Sequence, residues 1–140
     1  MEYKSNIPIY LQVIDDITQK LLSGTISLGD KLPSTRELAV SYKINPNTAA
    51  RVYAEMERMG ICHTRRGLGT FVNDEPELLS NLRHTSSQKL LSDFVDGMMS
   101  IGYTRETIMK ELTEYLEQQN GEHYVRMQQY YKALYEQNCR

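Results

Sequence analysis

Cysteine is scarce in this chain of 140 residues, and its two copies, Cys62 and Cys139, stand far apart. That spacing excludes a disulfide framework and forms no cysteine motif. The three histidines, His63, His84 and His123, are equally scattered, and Cys62 adjoins only His63. No metal-ligand spacing or nucleophile motif follows from such residues, so no catalytic residue, metal or cofactor is expected. Glu55 and Glu57 fall on different sides of one helix and are not a carboxylate pair. Long apolar runs are also missing, and none approaches a membrane span. The start, "MEYKSNIPIY", lacks the layout of a signal peptide, which places the protein in the cytoplasm by expectation. Internal repeats and low-complexity tracts are absent.

What is present is ordinary in amount and uneven in place. Hydrophobic content of 40% and charged content of 24% suit a soluble globular protein with a modest core. The net charge of −2 hides an asymmetry: residues 1–72 carry nine Lys and Arg against seven Asp and Glu, while residues 73–140 carry seven against eleven. Between residues 43 and 70 the balance is five basic against two acidic. That local excess suits an anionic partner, which the acidic second half does not.

Periodicity supplies the elements. Residues 8–22, "PIYLQVIDDITQKLL", place Tyr10, Val13, Ile14, Ile17 and Leu21 on one helical face, and Gly24 can end that helix. "TISLGDKLPS" reads as an extended connector that includes a candidate short strand. Ser34-Thr35-Arg36-Glu37 is a capping box ahead of "LAVSY". Lys43 and Ile44 turn tightly into a third helix over 46–59, with Ala49, Val52, Tyr53 and Met56 as its inward stripe and Gly60 as its stop. At its start, "NPNT" lets Asn45 cap free backbone donors while Pro46 takes the first helical position. Asn47 and Thr48 then project from the first turn, followed by Arg51.

"ICHTRRGLGTFV", residues 61–72, has apolar ends around a basic, glycine-rich tip, the layout of a β-hairpin. Three helices followed by such a hairpin make a winged helix-turn-helix. The fold class expected is therefore mostly α with a small β-hairpin wing.

After the polar stretch "NDEPE", residues 77–101 form a long helix with a broad apolar face of Leu79, Leu82, Leu90, Leu91, Phe94, Val95, Met98 and Ile101. Gly102 breaks it and Thr104 can cap the next helix, whose expected buried stripe is Ile108, Leu112, Tyr115 and Leu116. Asn120-Gly121 ends that helix, and Tyr124, Met127, Tyr131 and Leu134 support a tyrosine-rich final one. Two helices cannot hide so much apolar surface alone. Leu91, Phe94, Met98, Ile101, Leu112 and Tyr115 are therefore expected to pair with a second copy around a two-fold axis.

The stretch from Pro8 to Val72 resembles the DNA-binding domain of the GntR family of bacterial transcription regulators. The resemblance rests on "PIYLQV", "LGDKLPSTRELA", "NPNTAARVYAEMERMG" and "RRGLGTFV", in the right order and spacing. "NPNT" with a short helical second half is similar to the YtrA branch, where the C-terminal helices form a dimerisation module. The division implied is a DNA-binding domain over residues 1–75 and a helical dimerisation domain over 76–140.

The resemblance implies that Arg36 reaches a base edge or phosphate in the major groove, with Asn45, Asn47 and Thr48 facing the groove and its phosphates. Arg65, Arg66 and Gly67 would bring the wing to the minor groove. The chemistry agrees: Arg bonds guanine twice, Asn bonds adenine twice, and Thr meets the thymine methyl. Two departures stand out. Leu28 occupies a position where the family usually has Pro. Pro46 and Ala50 stand where many members carry Arg, so Arg51 is the nearby cation that compensates in part.

The function implied is a homodimeric repressor of its own operon, transporter genes being candidate targets. Its partner would be a pseudo-palindromic double-stranded operator; no small-molecule effector can be named. The alternative is a winged-helix module that docks on proteins without reading DNA. Plainer readings of single residues are that Asn45 is only a cap, Arg36 a solvated helix residue, and Arg65-Arg66 a device that keeps the hairpin soluble.

Overall fold

The computed structural model describes residues 1–118 and 122–138. Their elements are α1 (Ile9–Leu22), α2 (Thr35–Tyr42), α3 (Pro46–Arg58), β1 (Cys62–Arg65), β2 (Gly69–Val72), α4 (Pro76–Ser100), α5 (Arg105–Gln118) and α6 (Glu122–Asn138). This is the mostly helical class with one antiparallel hairpin that the sequence predicts. The helix stop expected at Asn120-Gly121, and the side chains of His123, Tyr124, Met127 and Cys139, lie outside the described residues. The chain divides into two compact units, Met1–Leu82 and Arg83–Arg140, with the division inside α4.

In the first unit each helix begins and ends for a local reason. The α2 capping box forms: the Glu37 N–H donates to Ser34 Oγ at 3.1 Å, and the Ser34 N–H donates to Glu37 Oε1 at 3.3 Å. Lys43 then adopts the left-handed conformation, φ 55°, which ends α2 and makes the turn to α3 tight. Asn45 caps α3 by accepting the Asn47 N–H at 2.8 Å, with Pro46 in the first turn. The inward stripe of α3 is Ala49, Val52, Tyr53 and Met56, as expected, and α1 buries Val13, Ile14, Ile17 and Leu21. Tyr10, expected with them, is only half-buried.

The hairpin pairs Cys62 with Val72 at its base and Arg65 with Gly69 near its tip. Leu32, Leu38, Ile61, Cys62 and Val72 complete the core. Burial pushes the Cys62 thiol up to about 11, so it behaves as a small apolar side chain rather than a nucleophile. Leu78 of α4 is also buried against this core, with Leu79 and Leu82 packed beside it. The candidate strand in the connector reduces to one antiparallel bridge, between Lys31 and Phe71.

The second unit is built differently. Thr104 caps α5 as expected, through reciprocal bonds with Thr107 at 3.3 and 2.7 Å. Among its described residues only Ile108 is buried. The expected burial of Tyr115 and Leu116 is corrected: each is 55% exposed, and Leu112 is half-buried. The physical reason is that an apolar face needs a neighbour, and among the described residues α5 has none that covers Tyr115 and Leu116. Leu90, Leu91 and Phe94 of α4, and Ile101 just past its end, are exposed too. Phe94, Met98, Glu111, Leu112 and Tyr115 line an open cavity of about 270 Å³. No helix among the described residues is long and apolar enough to cross a membrane.

Candidate nucleic-acid interface

The polar residues singled out in the sequence lie at three places in the first unit: the start of α2, the start of α3 and the hairpin tip. Arg36 sits in the first turn of α2, exposed and without a partner. Asn47 projects from the first turn of α3, exposed, with its side-chain amide unpaired; Thr48 beside it is half-buried. An amide at this position presents a donor and an acceptor together, as the edge of adenine does.

Asn45 and Arg51 are more constrained. The Asn45 carbonyl oxygen is committed to its own cap, which leaves only its NH₂ group for another partner. The Arg51 guanidinium lies 3.9 Å from the centre of the Tyr10 ring, so it couples α3 to α1 by a cation–π contact. Sequence spacing does not show this, because Tyr10 and Arg51 meet only once α1 and α3 have packed. Arg58, which the sequence sets near the negative end of α3, pairs with Glu55 and holds that carboxyl below its usual range.

The wing carries its charge on a ring scaffold. Phe71 stacks on His63 across the strands, at 6.1 Å between ring centres, and the Arg65 guanidinium lies 5.3 Å from the Phe71 ring. His63 Nδ1 is 2.5 Å from Asn73 Oδ1, while the Asn73 NH₂ donates to the Gly60 carbonyl at 2.7 Å. That second bond makes the Asn73 oxygen the acceptor, so His63 carries its proton on Nδ1. Arg66 is free and exposed at the tip, and Gly67 beside it has φ 79°, a value the turn needs and glycine accepts without strain. Leu68 follows, exposed, its N–H donating to the Arg65 carbonyl at 2.9 Å.

A bracing network stands behind these surfaces, and the sequence reading missed it. The Tyr42 hydroxyl donates to Asp16 Oδ2 at 2.7 Å and accepts from Lys20 Nζ at 3.1 Å, which ties α2 to α1. The Tyr3 hydroxyl donates to the Tyr42 carbonyl at 2.5 Å, and the Tyr53 hydroxyl donates to the Pro33 carbonyl at 2.6 Å. Burial raises the pKa of Tyr53, which stays a neutral donor. The only signal in the sequence was a set of tyrosines at half-inward positions. Among the described residues no cluster of three or more His, Cys, Asp or Glu is placed to hold a metal ion.

Two helices joined by a tight left-handed turn, polar groups at the second helix's tip and an arginine-tipped hairpin define a winged helix-turn-helix regulator. Residues 9–72 match the family described as "Bacterial regulatory proteins, gntR family". Over 116 residues the chain is 41% identical to the HTH-type transcriptional regulator YhcF of Bacillus subtilis, covering 83% of this chain and 96% of that protein. It is 46% identical over 71 residues to the HTH-type transcriptional repressor YtrA of the same species, covering 51% of this chain and 55% of that one. A GntR family transcriptional regulator from Listeria monocytogenes superposes with a TM-score of 0.71 at 32% identity, covering 80% of this chain and 98% of that one. The chain belongs to the GntR family. It is a DNA-binding transcription regulator, and its relatives are regulators rather than enzymes.

Proposed function

We propose that the protein is a cytoplasmic homodimeric repressor that occupies a pseudo-palindromic operator in the promoter of its own operon, transporter genes being the candidate targets. One observation carries the reading surface: Arg36, Asn47 and Arg66 are exposed and unpaired on one compact unit, at the α2 start, the α3 start and the wing tip. In this reading Arg36 and Asn47 bond base edges in the major groove, while Thr48 and the Asn45 amide meet neighbouring phosphates. Arg65, Arg66 and Gly67 bring the wing to the minor groove. Arg51 joins them only by leaving the Tyr10 ring, which makes it the weakest member.

The exposed residues Leu91, Phe94, Ile101 and Tyr115, with half-buried Met98 and Leu112 beside them, support the dimer. A two-fold pair would set two α3 helices about 34 Å apart, one turn of DNA. That YtrA is a repressor supports the sign of regulation. Footprinting on the promoter of the protein's own operon, with Arg36→Ala and Asn47→Ala beside the parent, tests the surface. Each substitution should remove roughly 1–3 kcal/mol of preference for operator over unrelated DNA, with the fold intact. Parent-like footprints from both variants would place the reading surface elsewhere.

A further inference from the structure

We propose that Lys31 is a third phosphate-binding cation of the wing, carried there by the connector; the inference rests on the DNA-binding reading above. Sequence places Lys31 in a linker between α1 and α2, more than thirty residues from the hairpin tip. The backbone moves it. Lys31 bridges Phe71 in antiparallel fashion, and hydrogen bonds on both sides lock the register. The Leu32 N–H donates to the Thr70 carbonyl at 2.8 Å, the Val72 N–H to the Asp30 carbonyl at 2.9 Å, and the Gly29 N–H to the Val72 carbonyl at 3.1 Å. Residues 29–32 thus run alongside β2 without forming a strand of their own, and Lys31 is held against the wing.

The side chain then lies across the hairpin near its turn. A Cβ on Gly69 would stand 2.9 Å from Lys31 Cε and 3.7 Å from Nζ, closer to Cε than carbon atoms normally approach. Gly69, paired with Arg65 and at φ 121°, is the gap over which the lysine passes. Lys31 is exposed, and no ion pair among the described residues involves it. The neighbouring Asp30 carboxylate is turned to the Ser27 N–H at 2.8 Å. Glu57 of α3 accepts the Thr64 N–H at 3.4 Å, and the Asp74 carboxylate, just past β2, lies beside Gly29 at the base of the hairpin. An unpaired ammonium therefore joins Arg65 and Arg66 at one end of the hairpin. A flexible point charge of this kind suits a phosphodiester, which needs no fixed bond direction, better than a base edge.

The test is a salt titration of binding to the operator and to unrelated duplex DNA. Lys31→Gln should weaken both DNAs by the same factor and reduce the slope of log K against log salt by about 0.9 for each lysine removed. Lys31→Arg should restore the slope. An unchanged slope in Lys31→Gln, or a loss confined to the operator, would overturn the proposal while leaving the DNA-binding reading in place. A parent protein that bound neither DNA would overturn both.

Discussion

The two compact units use the same residues to opposite effect. In Met1–Leu82, leucine, isoleucine and valine at helical spacing close on one another, and Val13, Val52, Met56, Ile61 and Val72 are fully shielded from water. In Arg83–Arg140 the same spacing leaves Leu90 71% and Ile101 70% exposed. The first unit has three helices and a hairpin to set against each other, so each stripe finds cover within the chain. Helical periodicity reports that a face needs cover; it does not report where the cover comes from. The proposed dimer would account for the contrast: a first unit complete in one chain and a second that a further copy would complete.

The sharpest way to break that contrast is to charge the uncovered face. Phe94→Asp puts a carboxylate into the cavity formed with Met98, Leu112 and Tyr115. If a second copy covers that face, sedimentation should show monomers. Operator affinity should then fall on the order of a hundredfold or more, because two linked half-site contacts become one. The first unit should keep its fold. A parent protein that sediments as a monomer at micromolar concentration, yet holds a single half-site with full affinity, would remove the basis for the dimer.

Next in size is a matched pair of truncations in side-chain volume. Leu38→Ala, at a position 2% exposed, should cost about 2–5 kcal/mol in urea unfolding. Leu90→Ala should stay within about 0.5 kcal/mol. Equal costs would mean that Leu90 is as covered in solution as Leu38. Chain truncation sharpens the same boundary. A fragment ending at Leu82 keeps Leu78, Leu79 and Leu82 on the core, whereas one ending at Val72 loses them. Leu78 alone should make the longer fragment about 1.5–3 kcal/mol more stable. Equal melting of the two fragments would show that α4 contributes nothing to the first unit.

How much of this was legible in the sequence divides along the same line. The caps of Ser34, Asn45 and Thr104 and the stripe of α3 depend on residues within a few positions of each other, and they stand where the pattern puts them. So do the polar residues Arg36, Asn47 and Arg66. The seat of Lys31 over Gly69 and the stacking of Arg51 on Tyr10 join residues some forty positions apart, and only packing brings them together. The exposure of Tyr115 and Leu116 was illegible for another reason, since periodicity marks an apolar face without saying whether the same chain covers it.

The smallest expected effect tests whether the first unit is closed by its polar braces as well as its core. The Asp16 carboxyl sits below the ordinary aspartate value of 3.8 because the Tyr42 hydroxyl donates to it, with Lys20 Nζ adding a contact at 3.3 Å. A carboxyl lowered in the folded state stabilises the fold above its unfolded pKa and loses that contribution as pH falls through the lower folded value. The Asp16 side chain is 37% exposed, so solvent screening keeps the contribution below about 1 kcal/mol. Asp16→Asn and Tyr42→Phe should therefore be slightly less stable than the parent at neutral pH, and the gap should begin to close as pH falls below about 4. The gap should be read from urea melts at pH 7 and pH 3, with Phe94→Asp as the contrast, since Phe94 lies in the other unit and its effect reads out as assembly. If the Asp16→Asn gap is the same size at both pH values, the brace works through shape alone, and the Asp16–Tyr42 bond does not make the reading unit acid-sensitive.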